Sequence, residues 1–252
     1  CDVALPALWW PNGMGAQPLY TIEATLMHNG AAVSVCRRRI GIRTIELVQE
    51  PDAFGQSFFF RVNGAPLFAK GANWIPADAM PSRITADDYQ RLLTAARDAH
   101  MNLIRVWGGG MYEDDAFYDT CDELGLLVWQ DFMSACTLMP TYRAFLDAFG
   151  AEARDALGRL RHHACIALWC GNNECEEVLI WRKLGDQHRR EYDFLYDQYL
   201  RGVVHSMDPA RPYWPSSPHS PRSLNPHRQD CGDTHYWGVW HGDQPFEAYL
   251  AR

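Results

Sequence analysis

The sequence lacks any apolar run that approaches the roughly 20 residues needed to cross a bilayer. It is also poor in lysine, with two in 252 residues, and its formal net charge is −8 with a pI of about 5.6. An acidic chain of this kind has no excess of the positive charge that attracts nucleic acid or an anionic membrane. We therefore expect neither nucleic acid nor a membrane as a partner, and no signal peptide is visible.

Motifs for metals and phosphates are missing as well. The eight cysteines show no two-residue spacing of the zinc-ribbon or redox kind, so we expect mostly free, buried thiols in a reducing compartment. The glycines 108–110 lack the Gly-x-Gly-x-x-Gly spacing and the Lys-Ser/Thr pair of phosphate-binding loops. No Asn-x-Ser/Thr glycosylation site occurs. These observations predict a location in the cytoplasm or the periplasm.

Aromatic residues, in contrast, are abundant, with ten Trp, eleven Tyr and eleven Phe. An aromatic share of 13% is typical of a sugar-binding cleft, because pyranose rings stack on flat side chains, although most of these rings are expected in the core. The hydrophobic share of 47% and the charged share of 21% are those of an ordinary globular protein. The length allows one large domain or two.

Residues 1 to about 66 have the pattern of antiparallel β structure. Apolar and polar residues alternate between Tyr20 and Leu26, as in a half-buried strand, and the turn residues Asn29-Gly30 follow. A second pair, Asn63-Gly64, separates two further apolar runs and predicts a hairpin with a type I′ turn.

The remainder alternates between short apolar runs and helical patterns. The predicted strands are 69–76, 102–107, 126–132, 166–169, 213–218 and 233–240, and the predicted helices are 85–100, 112–124, 141–163, 175–184 and 188–207. Thr85 with Asp88 three residues later predicts a capping box at the start of the first helix. Repeated strand–helix units of this kind favour a parallel sheet and a TIM-like barrel.

The strongest candidate for chemistry follows the fourth of these strands. The buried run 166–169 ends at Gly171, and Asn172-Asn173-Glu174 comes directly after it. In a barrel, the carboxyl ends of the strands form the face that carries catalysis. An amide there can bind a substrate hydroxyl, while the adjacent carboxyl can give and take a proton. The competing interpretation is that these three residues only cap the next helix.

Other strand ends carry further candidates for substrate contact, namely Trp74, Arg105, Trp107, Asp131, His235, Trp237 and Trp240. Trp74 could equally be a core residue, Arg105 could form a buried structural ion pair, and Asp131 could either line the pocket or fix a neighbour. A metal bound by Asp233, His235 and His241 is disfavoured, because no strand supplies a further ligand and Trp is a poor neighbour for ligands.

Several of these segments resemble one family. The sequence Trp-Cys-Gly-Asn-Asn-Glu at 169–174 closely resembles the acid/base strand of the β-mannosidases of glycoside hydrolase family 2. Gly-Ala-Asn-Trp-Ile-Pro at 71–76, Trp-Gln-Asp-Phe at 129–132 and His-Tyr-Trp-x-x-Trp at 235–240 are similar to other family motifs, in the same order. Trp-Trp-Pro-Asn-Gly at 9–13 resembles the immunoglobulin-like domain that precedes the family's barrel.

The resemblance implies an α/β fold in two parts. Residues 1–50 would be the C-terminal part of an immunoglobulin-like β-sandwich. Residues 51–252 would be a (β/α)8 TIM barrel, incomplete, with about six of its eight units. The implied activity is hydrolysis, with retention, of terminal non-reducing β-D-mannose from an oligosaccharide or glycoconjugate, without metal or organic cofactor.

The resemblance also implies roles for individual residues. Glu174 would be the acid/base, and Asn173 would bond the sugar 2-hydroxyl. Trp74 would lie at the floor of the sugar pocket, Arg105 beneath the nucleophile, and His235 and Trp237 in the cleft.

A second carboxyl is not found where the family would require it. Retaining glycosidases use two carboxyls about 5 Å apart. The family's nucleophile lies in a Ser-Glu-(aromatic)-Gly motif, which is absent here. Glu247 lies in a predicted loop or helix and is not assigned this role. We therefore expect the nucleophile beyond Arg252 and the chain to be part of a longer protein.

Three other interpretations stay open. The chain could belong to a family 2 enzyme that acts on galactosides, glucuronides or glucosaminides. It could be a carbohydrate-binding fragment without catalysis, or a metal-dependent hydrolase.

Overall fold

The computed structural model describes residues 3–221 and 223–251. The first elements form a long hairpin, in which β1 (Tyr20–His28) pairs antiparallel with β2 (Ala31–Ile40). Asn29 and Gly30 turn the chain with φ values of 49° and 82°. Nearly every residue of both strands is exposed.

A second antiparallel sheet follows, with the order β3 (Ile45–Val48), β4 (Phe59–Val62) and β5 (Ala65–Leu67). Asn63 and Gly64 link the last two strands with φ values of 50° and 79°, and a type I′ turn requires positive φ at both positions. The predicted hairpin is thus confirmed. The domain boundary at residue 50 stays a prediction, since β3 and β4 pair across it.

The third sheet is parallel and has its strands in chain order. These are β6 (Gly71–Trp74), β7 (Leu103–Val106), β8 (Leu127–Asp131), β9 (Ile166–Cys170) and β10 (Tyr213–Trp214). The helices between them are α1 (Ala86–Asp98), α2 (Asp115–Leu124), α3 (Arg143–Leu160), α4 (Cys175–Trp181), α5 (Asp186–Asp193) and α6 (Arg201–Met207). A π-helical stretch, Phe194–Leu200, joins α5 to α6, and 3₁₀ turns occupy Pro81–Arg83 and Phe246–Ala251. The predicted α/β class is confirmed.

Local sequence signals set several of these boundaries. Thr85 accepts a bond from the backbone of Asp88, and the Asp88 side chain accepts one from the backbone of Thr85, which is the predicted capping box. Helix α2 ends at Gly125, which adopts the left-handed conformation with a φ of 73°.

The three central strands of the parallel sheet, β7, β8 and β9, are buried on both faces. Ile104, Val106 and Val128 face the helices, whereas Leu103 and Leu127 face the opposite side with the β3–β5 sheet. Successive side chains of a strand point to opposite faces. Because both faces are covered, the strands read as continuous apolar runs rather than as alternating ones.

The prediction of a sixth strand at residues 233–240 was wrong. This segment is irregular and ends in turns, and Asp233 forms only an isolated antiparallel bridge with His219. The aromatic run that suggested a strand has no neighbouring strand to pair with in the part of the chain that the structure describes. The parallel sheet of the described residues therefore has five strands rather than six.

None of the helices in the ranges described above is long and apolar enough to cross a membrane. The cysteines at 36, 121, 136, 165, 170, 175 and 231 all carry free thiols, and four of them are fully buried.

Candidate active site

Strand β9 carries Glu174 to the carboxyl edge of the parallel sheet. Gly171 donates its backbone N–H to the carbonyl of Trp214 at 2.7 Å, and a Cβ on Gly171 would lie 2.3 Å from the carbonyl oxygen of Pro215. Glu174 then donates its own N–H to the carbonyl of Ser217 at 2.9 Å. Its φ of 60° is left-handed, which is uncommon for a residue other than glycine and indicates a conformation held by its surroundings.

Asn172, not Glu174, caps helix α4. Its Oδ1 accepts bonds from the backbone N–H of Cys175 at 2.9 Å and from the Ser216 hydroxyl at 2.7 Å, while its Nδ2 donates to the carbonyl of Pro215. Glu174 occupies the N-cap position but makes no side-chain cap bond. The capping interpretation therefore applies to Asn172, and the Glu174 carboxyl is left to face a cavity.

Both oxygens of Glu174 have partners. His235 Nδ1 lies 2.7 Å from Oε1, and the thiol of Cys136 lies 3.4 Å from Oε2. Burial raises the pKa of the Glu174 carboxyl, but the bond and charge of His235, with smaller contributions from Cys136 and Trp237, outweigh burial and leave the pKa below its ordinary value. The protonation of the Glu174 carboxyl is therefore coupled to the imidazole of His235.

A buried polar network fixes the neighbouring amide. Arg105 Nη2 donates to Asn173 Oδ1 at 2.9 Å and to Asp131 Oδ2 at 2.8 Å. Asp131 is fully buried and also accepts the N–H groups of Gly108 and Trp129, each at 3.0 Å. Burial lowers the pKa of Arg105, yet the charge of Asp131 prevails and raises it, so the guanidinium stays charged. Asp131 therefore positions Arg105 and does not line the cavity.

The cavity in front of Glu174 has a volume of about 530 Å³. Its described walls are Asn73, Ile75, Arg105, Trp107, Cys136, Asn173, Glu174, Thr234, His235, Tyr236, Trp237, Trp240 and Tyr249. Trp237 and Trp240 are exposed to 47% and 71%, so they form an open aromatic rim. Seven of the nine site residues proposed from the sequence thus line this cavity, and Trp74 and Asp131 do not.

Trp74 lies on the helix side of the sheet. Its Nε1 donates to Glu113 at 2.9 Å, and its ring packs on Phe117 with centroids 4.9 Å apart. Because side chains alternate along a strand, its neighbour Asn73 points inward and meets Arg105 instead. Asn73 is therefore a cavity residue that the sequence interpretation missed, although the same alternation could have indicated it.

Three other residues near Glu174 were not assigned to substrate contact from the sequence: Cys136, Ser217 and Asp233. The Ser217 hydroxyl donates to Asp233 Oδ2 at 2.6 Å and lies 2.9 Å from His235 Nε2. All three lie outside the helices and strands of the structure, and the strand patterns predicted for 213–218 and 233–240 gave no indication of these contacts. Among the described residues, Asp233, His235 and His241 do not converge as metal ligands; the group that does converge is Asp122, His163 and Cys165, buried elsewhere.

A second cavity of about 560 Å³ also has Glu174 in its wall. Glu177 and His227 line it, and Glu177 Oε1 contacts His227 Nε2. Burial, followed by the charge of Glu174, raises the pKa of Glu177 to about 8. Burial and the charge of His235 lower the pKa of His227. Both shifts favour the uncharged forms, so Glu177 and His227 meet as a neutral pair at neutral pH.

Fold and site together define an α/β protein with a carboxyl-and-amide centre at the carboxyl edge of a parallel sheet, under an aromatic rim. The fold is shared with a solved structure. The crystal structure of an exo-chitosanase from Amycolatopsis orientalis matches 83% of the chain with a TM-score of 0.67 and 21% identity, which shows the shared fold.

Closer similarity comes from three comparisons. The family model described as glycosyl hydrolases family 2 matches residues 1–43. Beta-mannosidase B of Aspergillus terreus is 43% identical over 96% of the chain, which corresponds to 30% of that relative. The β-D-mannosidase structure from Dictyoglomus thermophilum is 45% identical over 98% of the chain and 30% of its own length, with a TM-score of 0.92. The chain belongs to glycoside hydrolase family 2, and it spans about 30% of the length of these relatives.

Proposed function

We propose that this chain supplies the acid/base side of the active site of a retaining β-mannosidase. The reaction is hydrolysis of terminal, non-reducing β-D-mannose from an oligosaccharide or glycoconjugate, in the cytoplasm or the periplasm. One observation carries the proposal: the Glu174 carboxyl faces a cavity beside Asn173 and His235, in a chain that is 43–45% identical to proteins named as β-mannosidases.

The cavity suits a sugar ring. Trp107 and the exposed rims of Trp237 and Trp240 offer flat apolar faces on which a pyranose can stack. The carbonyl oxygen of Asn173 is held by Arg105, and one N–H of its Nδ2 group donates to Cys136 Sγ at 3.4 Å. The second N–H of Nδ2 remains for a sugar hydroxyl, and we assign it to the 2-hydroxyl. This contact would strengthen as positive charge develops on the ring in the transition state.

The nucleophile must be a second carboxylate, about 5 Å from Glu174 for a retaining mechanism. Among the described residues that line the 530 Å³ cavity, Glu174 is the only one with a carboxyl group. Glu177 is a poor candidate, because a pKa of about 8 leaves it protonated at neutral pH. Glu247 is exposed and does not line the cavity. We therefore place the nucleophile outside the described residues.

In the proposed reaction Glu174 acts twice. It first protonates the departing glycosidic oxygen while the nucleophile attacks the anomeric carbon, and it then takes a proton from the water that releases the sugar. The negative charge of a nearby nucleophile would raise the pKa of Glu174 and so favour the protonated form that the first step requires.

The proposal also includes the complete barrel and the domain that precedes it. The five parallel strands would belong to an eight-stranded (β/α)8 barrel within residues 51–252 and a further part of the protein. The β1–β2 hairpin would belong to an immunoglobulin-like domain that includes residues 1–50.

The test is Glu174→Gln in the full-length protein that carries this sequence. Turnover of β-mannosides with poor leaving groups should fall by roughly 10²–10⁴-fold, because their departure needs a proton. Substrates with good leaving groups should still form the glycosyl-enzyme in a rapid first phase. Glu247→Gln, which changes an exposed glutamate outside the cavity, is the matched control and should leave both rates unchanged.

Equal losses on both kinds of substrate would contradict the acid/base assignment. The related family 2 activities are tested in the same assay. If kcat/KM for a chromogenic β-galactoside, β-glucuronide or β-glucosaminide exceeds that for the β-mannoside, the substrate assignment is wrong while Glu174 keeps its role.

A further inference from the structure

Four side chains form a continuous hydrogen-bonded line that ends on Glu174. Asp233 Oδ2 lies 2.6 Å from Ser217 Oγ, which lies 2.9 Å from His235 Nε2. The other ring nitrogen, Nδ1, lies 2.7 Å from Glu174 Oε1. Every link is within hydrogen-bond distance, so the positions of the protons along the line are coupled.

The donors around Asp233 determine which group donates the proton in each of these hydrogen bonds. Its Oδ1 accepts the indole N–H of Trp214 at 2.6 Å and the backbone N–H of His219 at 2.9 Å. Two N–H donors on one oxygen, with the Ser217 hydroxyl on the other, stabilise an ionised carboxylate. Burial opposes them and raises the pKa of Asp233. With these donors on Oδ1, the Ser217 hydroxyl donates its single proton to Oδ2.

Ser217 then has only lone pairs left for His235. Its oxygen therefore accepts the Nε2–H of the ring, and in a neutral imidazole the lone pair lies on Nδ1. Arg105 Nη1 also approaches Nε2, at 3.4 Å, and as a donor it would favour the opposite tautomer. The bond to Ser217 is shorter by half an ångström and decides the outcome.

We propose that Asp233 and Ser217 are positioning residues that hold His235 with its proton on Nε2, so that Nδ1 and Glu174 share the single proton used in general acid catalysis. The catalytic part of this inference rests on the proposed function. When the glycosidic C–O bond breaks, the shared proton passes from Glu174 to the leaving oxygen, and Nδ1 keeps its lone pair. Water later bonds the anomeric carbon as the bond between that carbon and the nucleophile carboxylate breaks, and the water gives one proton back to the pair.

Other charged or titratable groups also surround the pair. They are Arg105 at the end of β7, Cys136 in the loop after β8, Glu177 on α4, and His227 and Asp233 in the loop after β10. Since all of these act on both ring tautomers, the sharpest observable is the tautomer itself rather than a pH optimum.

The test is Asp233→Asn. The two N–H donors on Oδ1 require the carbonyl oxygen of the new amide at that position, so its NH₂ group must occupy the place of Oδ2. That NH₂ donates to Ser217, and the Ser217 hydroxyl then has to donate to Nε2. The ring is thereby forced into the Nδ1–H tautomer, which donates to an ionised Glu174 and withholds the proton from the leaving group. A comparable reversal of tautomer is known to disable a Ser-His-Asp triad.

The primary measurement is the pair of His235 ring ¹⁵N chemical shifts, recorded by NMR on the full-length protein with its other histidines assigned. The unmodified protein should show a protonated Nε2, and Asp233→Asn a protonated Nδ1. Ser217→Ala removes the link without reversing it and should give a mixture of both tautomers. Asp243→Asn, which alters an exposed aspartate in the loop that follows, should leave the shifts unchanged.

Kinetics provide the second readout. Asp233→Asn should lower kcat by roughly 10²-fold for poor leaving groups, with little change in KM or in the glycosylation rate for good ones. A protonated Nε2 in folded Asp233→Asn would overturn the proposal. If the tautomer reverses but the unmodified protein does not hydrolyse β-mannosides, the positioning role stands and the proposed function fails.

Discussion

At the scale of single residues, Glu177 shows how burial sets the charge of a carboxyl. The side chain is 1% exposed and has a pKa of about 8, against an ordinary value of 4.5. The folded state therefore binds the Glu177 proton more tightly than the unfolded state does. The stabilisation from the neutral form is complete below pH 4.5 and is lost as the pH rises towards 8.

We expect Glu177→Gln to remove this pH dependence. The amide keeps the shape of the protonated carboxyl and can still donate to His227, but it never acquires a buried charge. Urea unfolding of the variant and the unmodified protein should give similar midpoints below pH 4.5. Above pH 8 the variant should be the more stable of the two.

An exposed glutamate supplies the control for this comparison. Glu247→Gln should show the same dependence of the midpoint on pH as the unmodified protein. If the midpoint of Glu177→Gln ran parallel to that of the unmodified protein across the whole range, Glu177 would have to be ionised in the folded chain at neutral pH.

The sequence could predict which residues lie near the site, but it could not predict the direction in which several of their side chains point. Glu174 and Asn173 follow a buried strand and a glycine, and that pattern alone placed them at the sheet edge. Whether the Trp74 side chain lies in the pocket or in the core depends only on the face of the strand to which it points. The link between Ser217 and His235 joins two irregular segments, and no periodicity reports such a contact.

At the scale of elements, the close approach of β9 to β10 depends on Gly171. The nearest atoms to an added Cβ are the Pro215 carbonyl oxygen at 2.3 Å and the Tyr213 hydroxyl at 2.7 Å. Backbone cannot yield as the end of a flexible side chain can. Overpacking of this kind typically costs about 1–3 kcal/mol.

We therefore expect Gly171→Ala to destabilise the chain by about that amount and to displace Glu174, which lies directly before helix α4. The readouts are the urea midpoint and the turnover of the full-length protein. Gly202→Ala is the matched control, because Gly202 is exposed in helix α6 with no atom within 4 Å of an added Cβ. That change should stabilise the helix by about 0.5–1 kcal/mol. Equal effects at both positions would argue against a tight contact at Gly171.

Structural features that depend on residues close together in the sequence could be predicted well. The capping box at Thr85 and the turn at Asn63-Gly64 each depend on residues within four positions, and both were confirmed. The strand predicted at 233–240 depended on a partner strand instead. In the structure the Asp233 and His235 side chains bond Ser217 and Glu174, and the backbone makes no ladder there. A pattern of aromatic residues cannot reveal that difference.

At the scale of the whole molecule, the site is assembled from distant parts of the chain. Asn73, Arg105, Glu174 and His235 belong to four separate segments, yet all four line one cavity. The parallel sheet brings the first three together because the carboxyl ends of its strands share one edge. His235 lies outside the sheet and is held by hydrogen bonds of its side chain to Glu174 and Ser217.

The β1–β2 hairpin, in contrast to the parallel sheet, has both of its faces exposed. Ile22, Ala24 and Leu26 share one face with Cys36, which pairs with Ala24, and Ile22 and Leu26 are exposed to 46% and 64%. A contiguous apolar stripe on a two-stranded sheet tends to associate with another surface, and the unpaired strand edges beside it add to that tendency.

We therefore expect residues 1–252, expressed alone, to self-associate as the protein concentration rises. Ile22→Thr with Leu26→Thr keeps β propensity while it removes apolar area, and it should shift sedimentation velocity profiles towards monomer. Leu224→Thr changes a leucine that is 73% exposed outside the hairpin and should leave association as it was. If the unmodified chain stayed monomeric at every concentration, or if it and the two variants associated alike, the hairpin would not be the surface that drives association.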